Sequence, residues 1–151
     1  MFQTVFAPVS GRLIDITAVS DEVFAEKTVG DGMAIEPTDG IVLSPADGII
    51  EAIFPTNHAF IIAADNGASI MVHIGIETVA MNGRPFVRLA APGSRISAGD
   101  PVIKADFRMI RHAGLDPTVI VVNVEGSVEN KSAAEKVCAG DLLLEAAPAS
   151  V

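Results

Sequence analysis

The chain has 151 residues, half of them hydrophobic, and carries 19 acidic against 10 basic side chains, a formal net charge of −9. This length supports one domain with a proper core, and the acidic balance argues against nucleic acid, whose phosphates demand clustered Lys and Arg. A single cysteine, Cys138, rules out an internal disulfide; with no basic leader and no apolar run of about 20 residues, a cytoplasmic domain is expected.

Thirteen Gly and nine Pro punctuate a chain rich in Val, Ile and Ala, which favours many short strands over long helices. A Pro-x-x-Gly turn occurs at Pro8–Gly11 and again at Pro45–Gly48, each followed by an apolar alternating run, Arg12 to Ile16 and Ile49 to Ile53. Gly-Asp before an apolar run occurs at Gly30-Asp31, Gly99-Asp100 and Gly140-Asp141. Turns that Gly can enter at positive φ, each leading into a strand, predict an all-β antiparallel sandwich or barrel-sandwich hybrid with internal duplication. Helix is minor: Asp106 to Gly114 is the best candidate, capped by Asp106 and closed by Arg111 and His112. Single turns are expected at Glu77 to Met81 and at Ser132 to Val137, the latter capped by Ser132.

Two apolar runs, Phe60 to Ala64 and Ser69 to Ile74, flank Asp65-Asn66-Gly67-Ala68. Asn-Gly between such runs predicts a type I′ hairpin. With Asn66 and Gly67 as the loop, Asp65 pairs with Ala68, His58 stands opposite Gly75 and His73 opposite Phe60. Period-two alternation then puts His58 and His73 on one face as diagonal neighbours, roughly 7–8 Å apart at the backbone. Paired imidazoles suit a metal or a phosphoryl group: a neutral nitrogen attacks phosphorus while a second N–H donates to its oxygens. His112 reads as a helix-end cation. Cys138 lies outside both histidine motifs and is expected to pack as a small hydrophobe.

Three segments, Phe24 to Gly32, Thr56-Asn57-His58-Ala59-Phe60 and Val72 to Val79, resemble the glucose-type IIA domain of the bacterial phosphoenolpyruvate-dependent sugar phosphotransferase system. The resemblance runs from about Val5 to Leu144 in the family's motif order, so residues 1–151 read as a single IIA domain. It implies a phosphotransferase component in which His73 bears the phosphoryl group as a phosphohistidine, His58 supports it and Thr56 orients His58. Phe24, Val29, Phe54 and Met71 fall on the apolar ring around the site, and Asp21 and Glu77 where acidic residues meet the phosphocarrier protein HPr. Thr28, Met71 and Ile74 stand where bulkier or aromatic residues are usual, and an amphipathic N-terminal extension is not expected. The implied partners are HPr and the IIB domain of a sugar permease, with regulatory target proteins compatible; no cofactor is expected, although His58 and His73 leave room for an adventitious or partner-shared zinc.

Two alternatives compete. A zinc hydrolase of similar fold would need three protein ligands; no His-x-His is present, His73 is followed four residues later by Glu77, and the third histidine sits in the predicted helix. A biotinyl or lipoyl carrier shares the Pro-x-x-Gly and Gly-Asp framework, yet the segment between the two Pro-x-x-Gly turns has only Lys27, before the Gly-Asp motif rather than after it. No Gly-x-x-x-x-Gly-Lys-Ser/Thr loop supports nucleotide chemistry.

Overall fold

A computed structural model describes residues 1–149. The first third of the chain forms β1 (Gln3–Phe6), β2 (Gly11–Asp15), β3 (Asp31–Pro37) and β4 (Ile41–Leu43). Next come β5 (Gly48–Ile53), β6 (Ala59–Ala64), β7 (Ser69–Ile74) and β8 (Phe86–Arg88). Then follow β9 (Arg95–Ile96), β10 (Pro101–Ala105), β11 (Val119–Asn123), β12 (Ser127–Glu129), β13 (Lys136–Val137) and β14 (Leu142–Ala147). Helix is confined to α1 (Glu22–Ala25), α2 (Phe107–His112) and two 3-10 turns, Ile16–Ala18 and Thr78–Met81. The paired strands are antiparallel, in an eight-stranded sheet ordered β13-β2-β3-β11-β7-β6-β5-β9 and two three-stranded sheets, β1-β14-β12 and β4-β10-β8. The all-β antiparallel expectation holds.

The long sheet buries both faces at its centre. Alternate residues Phe60, Ile62, Ile70, Val72, Ile74, Val119 and Val121 enter the main core. On the other face Ala34, Ile120 and Val122 meet Ile16, Val19, Phe24 and Ile76 in a smaller cluster. β11 is therefore buried along its whole length, which explains its unbroken apolar run. Each such Val or Ile contributes about 1.5–3 kcal/mol by leaving water.

The repeated motifs are two copies of one hook. Ala7 N donates to Asp141 O at 2.8 Å and Gly140 N to Ala7 O at 2.9 Å; Ser44 N donates to Asp100 O at 2.8 Å and Gly99 N to Ser44 O at 2.9 Å. Ala139 N donates to Ser10 Oγ, and Ala98 N to Asp47 Oδ1, both at 2.8 Å. The hooks then exchange bonds across a pseudo-dyad, Phe6 N to Pro45 O and Leu43 N to Pro8 O. Their glycines are needed for close approach: a Cβ would lie 1.9 Å from Glu36 O at Gly11 and 2.1 Å from Ala63 O at Gly48.

Three expectations are corrected. Ser132 to Val137 forms no helical turn; β13 occupies its end and pairs with β2 instead. Cys138 is exposed: it follows β13 and opens the turn to Asp141, with its N–H donating to Asp141 Oδ2 at 2.8 Å. The hairpin loop has three residues, Asp65-Asn66-Gly67, since Ala64 N donates to Ala68 O and His73 pairs with Ala59. Gly67 alone is left-handed, at φ +94. Asn66 is held by distant partners, its amide nitrogens donating to Gln3 Oε1, Met1 O and Ala146 O, and these tertiary bonds override the local I′ preference.

Candidate functional site

His73 lies near the end of β7, flanked by Ala59 of β6 and Ile120 of β11, on the face of the smaller cluster. Its Nδ1 is 2.7 Å from Gly75 O. A carbonyl only accepts, so Nδ1 carries the hydrogen and Nε2 keeps its lone pair. Gly75 is left-handed at φ +79, and a Cβ there would sit 2.5 Å from Thr78 Cγ2. Its backbone N–H donates to Thr118 O, Ile76 N to Asp116 O, and Thr78 Oγ1 to Ile74 O at 2.6 Å. Burial works against the Asp116 charge, but bonds from Thr118 and Ser20 hold its carboxyl below the usual range.

With the observed register, strict alternation would send His58 to the opposite face, opposite Ile74. The two rings nevertheless stand 5.2 Å apart, centre to centre and nearly perpendicular. His58 precedes β6, and the turn before it contains Asn57 at φ +60, with Asn57 N donating to Phe54 O. That turn breaks the alternation.

His58 is 7% exposed, and its Nδ1 hydrogen-bonds Thr56 Oγ1. Burial, then repulsion from His73, pushes its pKa down to about 4. Burial also lowers His73, against a smaller upward pull from the Gly75 carbonyl and Asp21. Both rings are thus neutral near pH 7. A Thr56 hydroxyl donating to Nδ1 leaves the His58 Nε2–H as a donor.

Apolar side chains surround the two rings. The Phe24 ring centre lies 5.0 Å from that of His73, and Phe54 meets His58 edge-on at 5.5 Å. Val29 and Met71 pack partly buried on the same cluster as Phe24. Asp21 caps α1 by accepting from Val23 N. Glu77 is exposed and left-handed at the start of the Thr78–Met81 turn.

Sequence reasoning missed three supports: the Gly75 carbonyl, the Asp116–Ser20–Thr118 bonds, and Arg88. Arg88 Nε donates to Asn57 Oδ1 at 2.6 Å and Nη2 to Ile53 O at 3.4 Å, clamping the turn that carries His58. Gly75 was legible as the residue two after His73. Arg88 and Asp116 are remote in sequence and leave no local signal.

As a metal site the pair offers two imidazoles. No third His, Cys, Asp or Glu joins them among the described residues, and His112 lines a separate depression with Met81 and Arg84. A catalytic zinc centre of this chain alone would lack its third ligand. Lys27 pairs with Asp31 just after α1, away from any hairpin tip. No described helix is long and apolar enough to cross a membrane.

Comparison with known proteins agrees with this geometry. Residues 3–128 match the family described as phosphoenolpyruvate-dependent sugar phosphotransferase system, EIIA 1. The chain is 37% identical over 145 residues to the glucose-specific EIIA component of Halalkalibacterium halodurans, covering 94% of this chain and 84% of that protein. It is 38% identical over 149 residues, 99% of its length, to the glucose-specific EIICBA component of Streptococcus pneumoniae, of which it spans only 20%. It spans 16% of the N-acetylglucosamine-specific EIICBA component of Escherichia coli, at 50% identity over 101 residues. The glucose permease IIA of Mycoplasma capricolum superposes with a TM-score of 0.87 at 31% identity, over 96% of both chains. Neither a hydrolase nor a biotinyl or lipoyl carrier is supported, and the chain belongs to the EIIA 1 family of the phosphoenolpyruvate-dependent sugar phosphotransferase system.

Proposed function

We propose that the protein is a phosphoryl carrier in sugar uptake, working in the cytoplasm between phospho-HPr and a IIB domain, with His73 Nε2 as the phosphoryl acceptor. The observation that carries this reading is the bond from His73 Nδ1 to Gly75 O, which leaves Nε2 as the free nucleophile beside His58. In the first transfer Nε2 attacks phosphorus in line, the P–N bond to HPr breaks and a P–N bond to His73 forms. In the second a cysteine thiolate of the IIB domain attacks, and the electron pair returns to Nε2.

Such transfers ask the protein mainly for positioning and charge stabilisation. His58 Nε2–H donates to the phosphoryl oxygens and Thr56 holds its ring. Phe24, Val29, Phe54 and Met71 keep out water that would hydrolyse the P–N bond. Asp21 and Glu77 meet basic side chains of HPr. The reaction requires no cofactor; a zinc shared with a partner remains compatible with the two imidazoles. About −2 of charge arriving on an apolar face is also a switch by which regulatory target proteins could tell the two states apart.

The test is incubation with phosphoenolpyruvate, enzyme I and HPr. Acid-labile, alkali-stable label should enter the wild type and vanish in His73→Gln; label persisting there would sink the assignment. His58→Gln should still take label but pass it on roughly 10²–10³-fold more slowly.

A further inference from the structure

The basic side chains of this acidic molecule are unevenly placed. Arg12, Lys27, Arg95 and Lys131 are engaged with Glu36, Asp31 and Asp65. Four of the remaining six of the ten, Arg84, Lys104, Arg108 and Arg111, line one groove of about 470 Å³ between α2 and the β4–β10–β8 sheet. None of these four forms an ion pair among the described residues. The two carboxylates in the groove are committed to backbone: Asp39 accepts from Ser10 N, and Asp106 caps α2 at Met109 N. Arg111 is set by donating to Pro37 O at 2.9 Å and Arg84 by donating to Met81 O at 3.2 Å. Between the cations lie apolar side chains open to water, Val87 at 55% and Met109 at 38% exposure.

Four cations against two carboxylates leave the groove with a net charge of about +2 on an acidic molecule, and an anionic partner neutralises that excess. We propose that this groove is a second docking surface, for an extended acidic segment of another protein whose carboxylates meet Arg84, Lys104, Arg108 and Arg111. Apolar residues of the same segment would cover Val87 and Met109. Nucleic acid is disfavoured because its continuous backbone charge would run beyond the groove onto a surface that carries all but two of the 19 acidic residues, whereas a protein segment need be acidic only where it meets the four cations. A bilayer is disfavoured because the apolar groups line a concavity, where a planar surface cannot reach them. The groove shares no lining residue with the histidine site, so both surfaces can be occupied together.

Fluorescence anisotropy on the full chain tests this, with a labelled peptide of about twelve residues alternating Glu and Leu. Saturable binding is expected at low ionic strength, weakened roughly tenfold or more in Lys104→Glu/Arg108→Glu and unchanged in His73→Gln. Neither Lys104 nor Arg108 makes a side-chain hydrogen bond within the described residues, so the fold should survive, which a cooperative melt verifies; otherwise Lys104→Ala/Arg108→Ala serves. Phosphatidylglycerol vesicles, a Lys–Leu peptide and a Glu–Ser peptide are the comparisons, and each should bind more weakly. The proposal is overturned by absent or non-saturable binding, by equal affinity in the groove variant, by preference for the vesicles or the Lys–Leu peptide, or by loss of binding in His73→Gln.

Discussion

A nucleophilic imidazole needs one nitrogen free of its proton, and here burial and a backbone carbonyl supply that condition together. The same burial links the site to stability. The His58 pKa falls from 6.5 in the unfolded chain to about 4 in the folded one, and His73 moves the same way. Between those values the unfolded chain binds more protons, so this contribution is complete above about pH 6.5 and lost as pH falls towards about 4. Asp15, Asp31, Asp65 and Asp116 are held below the ordinary carboxylate value and titrate beneath that window. The melting temperature should therefore drop between pH 7 and pH 4.5, and drop less in His58→Gln. Equal drops in the two proteins would mean that His58 is not desolvated. At this scale the sequence was informative where residues are rare, as with two of three histidines, and silent where support comes from common residues far along the chain. Arg88 and Asp116 are of the second kind.

The short segment from His73 to Met81 holds two left-handed residues, Gly75 at φ +79 and Glu77 at φ +60. Gly75→Ala would force a side chain into φ +79 with its Cβ against Thr78 Cγ2, a cost of about 1–3 kcal/mol. Gly99→Ala is the control, since Gly99 has φ +92 but no atom within 4 Å of a Cβ. Urea unfolding should show a larger loss for Gly75→Ala than for Gly99→Ala, and phosphoryl acceptance should fall only in the former. Equal losses would mean that backbone strain alone matters and that the Thr78 contact does not. The hairpin shows the limit of local reading. Asn-Gly specified a turn, but its length was set by Gln3, Met1 and Ala146, which no window around Asn66 contains. The one-residue register shift would have separated the histidines had His58 been inside the strand. Their meeting rests on Asn57 and the turn before it, not on the parity that first suggested it. The duplicated hooks, by contrast, were readable because each keeps its bonding groups within a short repeated motif.

Over the whole molecule the charge is divided. Asp21, Glu22, Glu26 and Glu77 lie on the elements beside the histidine site, while four of the six cations without an ion pair among the described residues line the α2 groove. Association with a basic phosphocarrier should therefore slow as ionic strength rises from about 10 mM to about 150 mM, as the screening length shrinks. Stopped-flow association rates measure this, and a rate indifferent to salt would remove steering from the account. The seam between β1 and β14 has a consequence of a different sort. Pairing Gln3 with Ala146 brings the two ends of the described chain side by side, so the path of the backbone closes almost into a ring. For such a fold the position of the cut between first and last residue matters little to packing, and a neighbour joined at either end need not pull the sheets apart. The relatives include both arrangements: a protein of which this chain spans 84%, and one of which it spans 20%.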